Sequence, residues 1–389
     1  MLLAVAGFAS QAQVRVTDSL LPQIADDFGT SVGAAAMVVT AYALAHGSVQ
    51  LLIGPIGDRF GKYLTVMTMW FLSSILVMLC GLAASLGELV TARLLAGAAA
   101  GWVIPLSMAY IGDVIPYERR QAVLGRYLSG QIFGQMFGQA AGGVLGDLFG
   151  WRQVFLILGA LFALATIGLL YELMTNPQTR SSGHPEERSR GFVADYVAVL
   201  SNPWARTVIL AVFIEGAVGW GAFAYIGADL TQRFGLSLTA VGLIVGMFAV
   251  GGLVYTLTVQ QLVTRFGQAK LAVRGAIICG LAYLTLALGL AWWVAPIAVA
   301  LYGFGFYALH NTLQTCGTQM TPQARATAFA LFSSALYVAQ TVGVGVSAVV
   351  FDRYGAVPLL LAAGIILPVM AFWFAARLTR REQAGAGSS

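Results

Sequence analysis

Gly54-Pro55-Ile56-Gly57-Asp58-Arg59-Phe60-Gly61-Lys62 is a short, charged, glycine-rich turn between two long apolar stretches, residues 32–53 and 63–85. Two membrane-length helices joined by so few residues must form a hairpin. Three charged side chains place the turn in water, and two of them are positive, which favours the cytoplasmic side of a membrane. The stretch therefore predicts a membrane protein built from helical hairpins.

The composition supports this interpretation. The chain has 389 residues, of which 59% are hydrophobic and only 10% are charged, and its mean hydropathy is +0.81. A soluble domain has about 25% charged residues, so this chain lacks the polar side chains to cover a water-facing surface. The net charge of +5 is explained by basic cytoplasmic loops rather than by nucleic acid. Cys80, Cys279 and Cys316 have neither metal-ligand spacing nor an even count, so no metal, cofactor or disulfide framework is expected.

Charged and Gly/Pro turns divide the sequence into an all-α fold of twelve membrane spans, numbered 1 to 12 below. The predicted spans cover residues 2–25, 32–54, 63–85, 88–112, 121–146, 151–174, 205–229, 237–262, 270–290, 294–318, 325–349 and 357–377. The long polar segment 175–204 separates six spans from six. The predicted domains are an N-terminal six-helix bundle (1–174), a cytoplasmic linker (175–204), a C-terminal six-helix bundle (205–380) and a tail (381–389).

The distribution of basic residues predicts the orientation. With the N-terminus inside, sixteen basic residues fall in cytoplasmic segments and three, Arg152, Arg233 and Arg353, fall in outer loops. Because cytoplasmic loops of membrane proteins are enriched in Lys and Arg, both termini are predicted to be cytoplasmic.

Three short sequences recur at a separation of 205 or 206 residues, each in the matching loop of its half. The pairs are Asp26-Asp27-Phe28-Gly29 with Gln232-Arg233-Phe234-Gly235, Asp58-Arg59-Phe60-Gly61 with Thr264-Arg265-Phe266-Gly267, and Asp147-Leu148-Phe149-Gly150 with Asp352-Arg353-Tyr354-Gly355. Three matches at one separation indicate a duplicated six-helix unit, hence two pseudo-symmetric bundles. Parallel repeats of this kind place the substrate site between the halves, near the bilayer midplane.

On these residues the chain resembles the major facilitator superfamily over essentially its whole length. The opening turn is similar to the family's loop 2–3 signature, G-x-x-x-D-R-x-G-[RK], on Gly54, Asp58, Arg59, Gly61 and Lys62. Within the family, the chain is most similar to the 12-helix drug:H⁺ antiporters and sugar-efflux permeases. Their span 5 pattern, G-x₈-G-x₃-G-P-x₂-G-G, falls on Gly125, Gly134, Gly138, Gly142 and Gly143, with Gln139 in place of the proline. The resemblance implies a monomeric, multi-pass transporter of a bacterial cytoplasmic (inner) membrane.

The resemblance also implies roles for two of these motifs. Arg59 lies within reach of Asp113 at the inner end of span 4, so the turn is expected to belong to the inner gate; alternatively, it only sets the orientation. In span 5, glycines repeat every four residues and form one smooth face. That face serves close helix packing, an antiporter-specific function, or both.

Ionisable side chains inside the membrane are costly unless paired or hydrated, so each is a functional candidate. Arg15 and Asp18 share one face of span 1, and with Arg93 of span 4 they are expected to form one cluster. Glu215 lies roughly 14 Å from the inner end of span 7, at about 1.5 Å per residue. All four are candidates for proton coupling. The alternatives are a neutral packing pair on span 1 and a Glu215 bonded to a neighbouring helix or to water.

The cavity-lining spans 4, 7 and 10 also supply aromatic and polar side chains as candidate substrate contacts. These are Trp102, Trp220, Phe223, Tyr225, Tyr302, Phe306, Tyr307, His310 and Asn311. An aromatic wall with few polar groups suits a lipophilic or amphiphilic solute, although some of these residues are expected only to pack between helices. Five glutamines would instead suit a sugar or metabolite: Gln11, Gln13, Gln131, Gln135 and Gln139.

The sequence therefore predicts a secondary active transporter that exports a small organic solute by proton antiport. Its partners would be the solute, protons and the lipid bilayer, with no nucleic acid. A sugar or metabolite importer or uniporter of the same fold remains an alternative, as does a non-transporting membrane receptor or scaffold. An enzyme is not expected, because the sequence has neither a Ser-His-Asp arrangement nor an H-E-x-x-H motif.

Overall fold

A computed structural model of the chain describes residues 2–53, 60–115, 117–180, 192–321 and 325–386. Every secondary-structure element within these residues is helical. In chain order the helices are Leu2–Arg15, Leu21–Asp27, Val32–Ala35, Met37–Gln50, Lys62–Gly81, Leu86–Ala100, Val103–Val114, Tyr117–Phe149, Trp151–Thr175, Pro177–Arg180 (3₁₀), Phe192–Ser201, Pro203–Ile214, Glu215–Trp220 (π), Gly221–Phe223, Ile226–Phe234, Leu238–Phe266, Gln268–Leu288, Trp292–Val294 (3₁₀), Ala295–Thr318, Arg325–Tyr354 and Val357–Ala386.

Ten helical segments of the described chain are long and apolar enough to cross a membrane. They correspond to all predicted spans except 1 and 5. Span 1 is divided into helices Leu2–Arg15 and Leu21–Asp27 by turns at residues 16–20, and span 5 is a 33-residue helix, Tyr117–Phe149, that is rich in Gly and Gln. A multi-pass membrane protein is thus confirmed, while the number twelve remains a prediction.

Spans 1, 4 and 7 are interrupted within their length, and span 2 has a single turn residue at position 36, near its start. Span 1 breaks at residues 16–20, and span 7 passes through the π-helical segment Glu215–Trp220 and then turns again at residues 224–225. Span 4 turns at residues 101–102, between Ala100 and Val103. Helix breaks expose backbone groups and redirect side chains, and π segments are often found at functional sites.

The linker contains a helix that the sequence analysis did not predict. Helix Phe192–Ser201 ends just before Asn202, whose side chain caps the start of span 7 by accepting from the backbone N–H of Trp204 at 2.9 Å. The hydroxyl of Tyr196 donates to the Leu51 carbonyl at 2.8 Å, while Val199 is buried against side chains of the second half. The linker helix is therefore attached to both halves of the chain.

Span 5 packs on spans 1 and 8, and span 2 packs on spans 4 and 11. In each of these two cases, one neighbour comes from the same half of the chain and the other from the opposite half. Spans 3 and 6 pack together within the first half, and spans 9, 10 and 12 pack together within the second. Spans 2, 5, 8 and 11 thus make the main contacts between the two halves.

The loops between spans 1 and 2, 3 and 4, 5 and 6, 7 and 8, 9 and 10, and 11 and 12 lie at one end of the bundle, which we call the first-loop face. Within the first half, Arg152 forms an ion pair with Asp27 and donates to the Ala83 carbonyl at 3.2 Å. Within the second half, Arg233 donates to the Leu286 carbonyl at 3.2 Å. In each half, an arginine side chain thus connects neighbouring loops of that half at the first-loop face.

Two aspartates connect the halves across the first-loop face. Asp352, near the end of span 11, accepts hydrogen bonds from the Ser31 hydroxyl and the Gly33 backbone N–H at the start of span 2. Asp147, near the end of span 5, accepts from the backbone N–H groups of Leu238 and Thr239 at the start of span 8. In the sequence alone, both aspartates are visible only as landmarks of the repeat.

Candidate functional site

Asp18 lies in the break of span 1, and Arg15 ends the helix that precedes the break. The two side chains are buried, and Nη1 of Arg15 is 3.7 Å from Oδ2 of Asp18. That separation is an ion pair but too long for a hydrogen bond. Neither carboxylate oxygen of Asp18 has a hydrogen-bond donor among the described residues. The predicted pair is therefore present, and its carboxylate retains unused acceptor capacity.

Arg15 also reaches across to the second half of the chain. Its guanidinium carbon lies 3.5 Å from the centre of the Trp220 ring, at the end of the π segment of span 7. A guanidinium over a Trp face is a favourable cation–π contact, worth about 2 kcal/mol or more when desolvated. Close by, helix Ile226–Phe234 packs on span 1: a Cβ at Gly227 would lie 3.1 Å from the Asp18 carbonyl oxygen. Spans 1 and 7 therefore meet where both are interrupted.

Arg93 is fully buried, but it bonds to backbone rather than to Asp18. Its Nε donates to the Val38 carbonyl and its Nη1 to the Gln13 carbonyl, both at 3.4 Å, and its guanidinium carbon lies 4.1 Å from the centre of the Tyr42 ring. The predicted cluster of three thus consists of an Arg15–Asp18 pair and a separate arginine. Arg93 fastens span 4 to spans 1 and 2.

Glu215, which is buried, and His310, which is partly exposed, form an acid–base pair. Oε2 of Glu215 is 2.8 Å from Nδ1 of His310, and Glu215 is 0% exposed. Oε1 of Glu215 has no partner among the described residues. The His310 ring stacks on Phe306, with centroids 5.2 Å apart and an interplanar angle of 7°. A carboxylate and an imidazole at this distance can share or exchange one proton.

The aromatic side chains predicted on spans 7 and 10 form one packed cluster. Trp220 lies 5.3 Å from Phe223 and 4.9 Å from Phe306 between ring centroids, and Phe223 lies 5.5 Å from Tyr302. Tyr307 completes the group, 5.7 Å from Phe306. The cluster thus lies against both the Arg15 contact and the Glu215–His310 pair. In this conformation these rings fill the space between helices.

Three other predicted substrate contacts lie apart from this cluster. The Tyr225 hydroxyl donates to the Val344 carbonyl at 3.0 Å, so this residue packs against span 11. The Asn311 amide donates to the Tyr255 hydroxyl at 2.9 Å. Trp102 is buried at the break of span 4. His46 of span 2 is 1% exposed and lies against Tyr337 of span 11, with ring centroids 4.4 Å apart.

The glutamines add polar groups to the same interior. The Tyr307 hydroxyl donates to the side-chain oxygen of Gln135 at 3.2 Å and so joins spans 5 and 10. Gln139 is 0% exposed, and neither atom of its amide group has a partner among the described residues. A buried amide without a partner is costly, so Gln139 is available to a hydrogen-bonding solute or to water.

At the opposite end of the bundle, Asp113 forms an ion pair with Lys62, with Nζ 2.7 Å from Oδ2. The partner expected for Asp113 from the sequence is Arg59. Gly54, Asp58 and Arg59 lie outside the described residues, so the Arg59 pairing stays a prediction. Gly61 adopts φ 87°, which favours glycine, directly before the helix that Lys62 begins. The turn and Asp113 are thus connected, through a different basic residue.

The glycines of span 5 form a packing surface. At Gly130, Gly134, Gly138 and Gly142, an added Cβ would meet the carbonyl oxygens of Ala4, Phe8, Ala12 and Val16 in span 1, respectively. Gly143 faces the other way, against the Leu238 carbonyl and Gly242 of span 8. Gly125 lies in the same helix, Tyr117–Phe149. Close helix packing thus accounts for four of the five motif glycines, while an antiport role for the motif stays a prediction.

The Glu215–His310 pairing was missed from the sequence, although a signal for it existed. Both residues lie in cavity-lining spans, ten residues from the predicted inner end of span 7 and eight from that of span 10. Two ionisable groups at matching depth in facing spans are candidates to pair. The Lys62–Asp113 contact had a similar signal, since Lys62 follows Arg59 in the same turn.

Comparison with known proteins identifies related chains. A family model described as "Major Facilitator Superfamily" matches residues 3–344 and, in a second match, residues 208–388. "Uncharacterized MFS-type transporter YwfA" of Bacillus subtilis (strain 168) is 26% identical over 375 residues, which cover 94% of this chain and 90% of that protein. "Probable efflux pump mfs2" of Aspergillus flavus is 25% identical over 423 aligned positions, which cover 92% of this chain and 97% of that protein.

A solved structure has the same fold. The crystal structure of a POT family transporter in complex with 5-aminolevulinic acid superposes with a TM-score of 0.77 at 14% sequence identity. The superposition covers 96% of this chain and 95% of that one. At this identity the likeness supports the fold alone.

Proposed function

The chain belongs to the Major Facilitator Superfamily, and on this premise we propose that it exports a small organic solute in exchange for protons. The solute is lipophilic or amphiphilic, and export proceeds by alternating access between two six-helix halves. The proposal includes twelve spans, both termini in the cytoplasm, a monomer, and a bacterial cytoplasmic membrane. A transporter is not an enzyme, and no catalytic residues are assigned.

The observation that carries the proposal is the pairing of the buried Glu215 with His310, at 2.8 Å, beside the aromatic cluster. A pair that holds one proton is neutral overall and tolerates burial. Loss of that proton leaves a net negative charge among aromatic rings, and such a site attracts a cationic or polar-headed solute. Proton and solute therefore compete for one site, which is the requirement for antiport.

The Arg15–Asp18 pair supports the same scheme from the first half of the chain. Asp18 is the alternative proton carrier, because its carboxylate has unused acceptor capacity. Arg15 contacts Trp220 across the two halves at 3.5 Å. Proton binding at Asp18 would weaken its ion pair with Arg15. The protonation state of Asp18 would therefore affect the contact between Arg15 and Trp220, which joins spans 1 and 7. Arg93 acts on this site through the backbone it fastens.

The charged turn and Asp113 form the proposed inner gate. Lys62 and Asp113, 2.7 Å apart, join the loop after span 2 to the end of span 4. Asp58 and Arg59 belong to the same motif. The ion pair joins two elements of the first half, so it would shape the surface that the second half meets when the inner side closes.

Proton coupling can be tested in proteoliposomes with ethidium, a fluorescent lipophilic cation, as the probe. Antiport predicts that ethidium accumulates in vesicles with an acidic lumen and that a protonophore abolishes the accumulation. Glu215→Gln is expected to abolish the dependence on the gradient. Glu88→Gln, which alters an exposed carboxylate in the first turn of helix Leu86–Ala100, is the matched control and should transport normally. Ethidium transport that ignores the pH gradient would exclude proton antiport.

A sugar or metabolite importer or uniporter is the second candidate, favoured by the unpartnered amide of Gln139. Replacing ethidium by a radiolabelled hexose and reversing the pH gradient separates the two functions. An importer coupled to protons accumulates the hexose with the acidic side outside, and a uniporter ignores the gradient. A receptor or scaffold moves neither probe under any gradient.

A further inference from the structure

The sequence Asp-x-aromatic-Gly at the ends of spans 5 and 11 has no part in the function proposed above. Its two copies begin at Asp147 and Asp352, and each ends at a glycine with positive φ, 84° at Gly150 and 73° at Gly355. Each aspartate thus lies in the last helical turn of its span, at the first-loop face. Among the residues that the structure describes, neither aspartate side chain bonds to its own loop; both bond to the opposite half of the chain.

In the copy at the end of span 11, Asp352 bonds to the start of span 2. Its Oδ2 accepts from the Ser31 hydroxyl at 2.6 Å, and its Oδ1 accepts from the Gly33 backbone N–H at 2.9 Å. Ser31 is already the N-cap of this helix, since its hydroxyl oxygen accepts from the Ala34 N–H at 3.0 Å. The aspartate therefore supplies a second cap, and that cap comes from the other half.

The copy at the end of span 5 repeats this arrangement with the halves exchanged. Oδ1 of Asp147 accepts from the Leu238 N–H at 3.1 Å, and its Oδ2 accepts from the Thr239 N–H at 2.5 Å. Ser237 is the N-cap of span 8 and accepts from the Ala240 N–H at 3.2 Å. Each contact thus combines a serine cap from one half with a carboxylate from the other.

The chemistry of a helix start explains why these contacts are favourable. The first N–H groups of a helix have no partner within it, and the helix dipole favours a negative charge there. A carboxylate bonded to those N–H groups is stabilised by both effects. When the halves separate at this face, both aspartates lose these donors to water.

The backbones must also touch for so short a side chain to reach. A Cβ at Gly33 would lie 2.7 Å from the Ala348 carbonyl of span 11. Gly143 of span 5 lies directly against the Leu238 carbonyl and Gly242 of span 8. The hydrogen bonds therefore exist only when the two halves are in contact at the first-loop face.

We propose that Asp147 and Asp352 are paired latches that hold the first-loop face closed and set how often it opens during transport. They are positioning residues that contact neither proton nor solute. The inference rests on the alternating access of the proposed function, but not on its proton coupling or its cargo. The latches therefore act on the resting equilibrium of the protein, in the absence of any gradient or solute.

The test measures the distance between the halves by electron–electron double resonance. Spin labels are attached at Leu82→Cys and Leu290→Cys, which are 65% and 72% exposed in the loops between spans 3 and 4 and spans 9 and 10. The three native cysteines are buried and do not compete for the label. Purified full-length protein in nanodiscs is measured without solute or pH gradient.

Asp147→Ala and Asp352→Ala are each expected to raise the ratio of open to closed first-loop face by about tenfold, as expected for loss of a charged helix cap. The double variant should give the product of the two effects, about a hundredfold. Asp→Asn variants keep one acceptor oxygen and should fall between the native protein and the Ala variants. Glu88→Ala removes a carboxylate that accepts from the Ala84 N–H within a single half; it should leave the distances unchanged.

Two outcomes would overturn the proposal: distances in the double variant that match the native protein, or an equal shift in the Glu88→Ala control. If the double variant does not fold, Gly143→Ala provides an independent perturbation, because its Cβ would push the two halves apart beside Asp147. Gly345→Ala is its control, since a Cβ there meets nothing within 4 Å. A native distance in Gly143→Ala would equally reject the latch. Failure of proton antiport in vesicles would leave all of these distances unaffected.

Discussion

Replacing Glu215 and His310 one at a time and together should give strongly non-additive effects on stability. His310→Phe keeps the ring that stacks on Phe306 but removes the hydrogen bond to Glu215. It leaves a carboxylate that is 0% exposed without its partner. Breaking a buried pair in this way costs about 3–5 kcal/mol.

The reverse single variant, Glu215→Met, should cost less. It removes the charged member and leaves a neutral imidazole without its acceptor, at a cost of about 1–3 kcal/mol. In the double variant, both polar groups are replaced by apolar side chains of similar size. Such replacements are often neutral, so the double variant should be within about 1 kcal/mol of the native protein. The coupling between the two sites should thus be at least about 3 kcal/mol.

Thermal unfolding in detergent with a thiol-reactive fluorophore can compare the stabilities of the three variants, because all three native cysteines are buried and react only on unfolding. The expected order of unfolding temperatures is His310→Phe lowest, Glu215→Met intermediate, and the double variant close to native. Gradient-driven transport should be lost in all three variants, including the stable double variant. Additive single effects, or a double variant that is the least stable, would refute the paired arrangement.

Three further predictions follow from contacts elsewhere in the molecule. Gly138→Ala should destabilise the protein by about 1–3 kcal/mol, because the added Cβ overpacks against span 1. Gly112→Ala is the control and should not destabilise it, since there is open space around Gly112. Thermal unfolding of the two variants checks this prediction. Partial burial alone would raise the pKa of Asp147, but hydrogen bonds from the opposite half outweigh it and hold that pKa below its ordinary value. Ionised Asp147 therefore stabilises the closed first-loop face fully above its ordinary pKa, and this stabilisation is lost only as the pH falls through the lowered pKa. The distances between the spin labels at this face should thus not change between about pH 5 and pH 8. Exchanging Lys62 and Asp113 should restore the transport rate that either single change lowers, because the exchange keeps the ion pair; a double variant as slow as the single ones would argue against a role for the pair.

The architecture was largely readable from the sequence. Apolar stretches of membrane length and charged turns such as Asp58-Arg59 define hairpins without any knowledge of tertiary contacts. The family signature lies in one such turn, so the family could also be inferred, and the family model confirms it. The breaks were harder to predict. Span 1 breaks at Thr17-Asp18-Ser19, residue types that are less favourable inside a helix than at its ends or in turns, yet the apolar residues around them hid this signal.

The candidate site was predicted in composition but not in its contacts. Glu215 and Arg93 stand out because charges are rare in apolar spans. Which partner each one meets depends on how its helix is rotated and how deep it lies, and neither follows from one sequence. The hydrogen bond between Glu215 and His310 was therefore not predicted, and neither were the hydrogen bonds of Arg93 to backbone carbonyls. Asp147 and Asp352 were visible as a repeat, but a repeat does not reveal that each copy binds the opposite half.

The exchanged caps have the symmetry of an isologous interface, in which residue i of one subunit meets residue j of the other and j meets i. The contact of Asp352 at the Ser31 cap and the contact of Asp147 at the Ser237 cap are two such equivalent contacts within a single chain. A lone six-helix ancestor carrying one aspartate and one serine would have closed upon a second copy of itself with both contacts formed. Fusion of two such genes would then have preserved the homodimer interface. Each half could diverge in sequence while the contacts between the halves were kept.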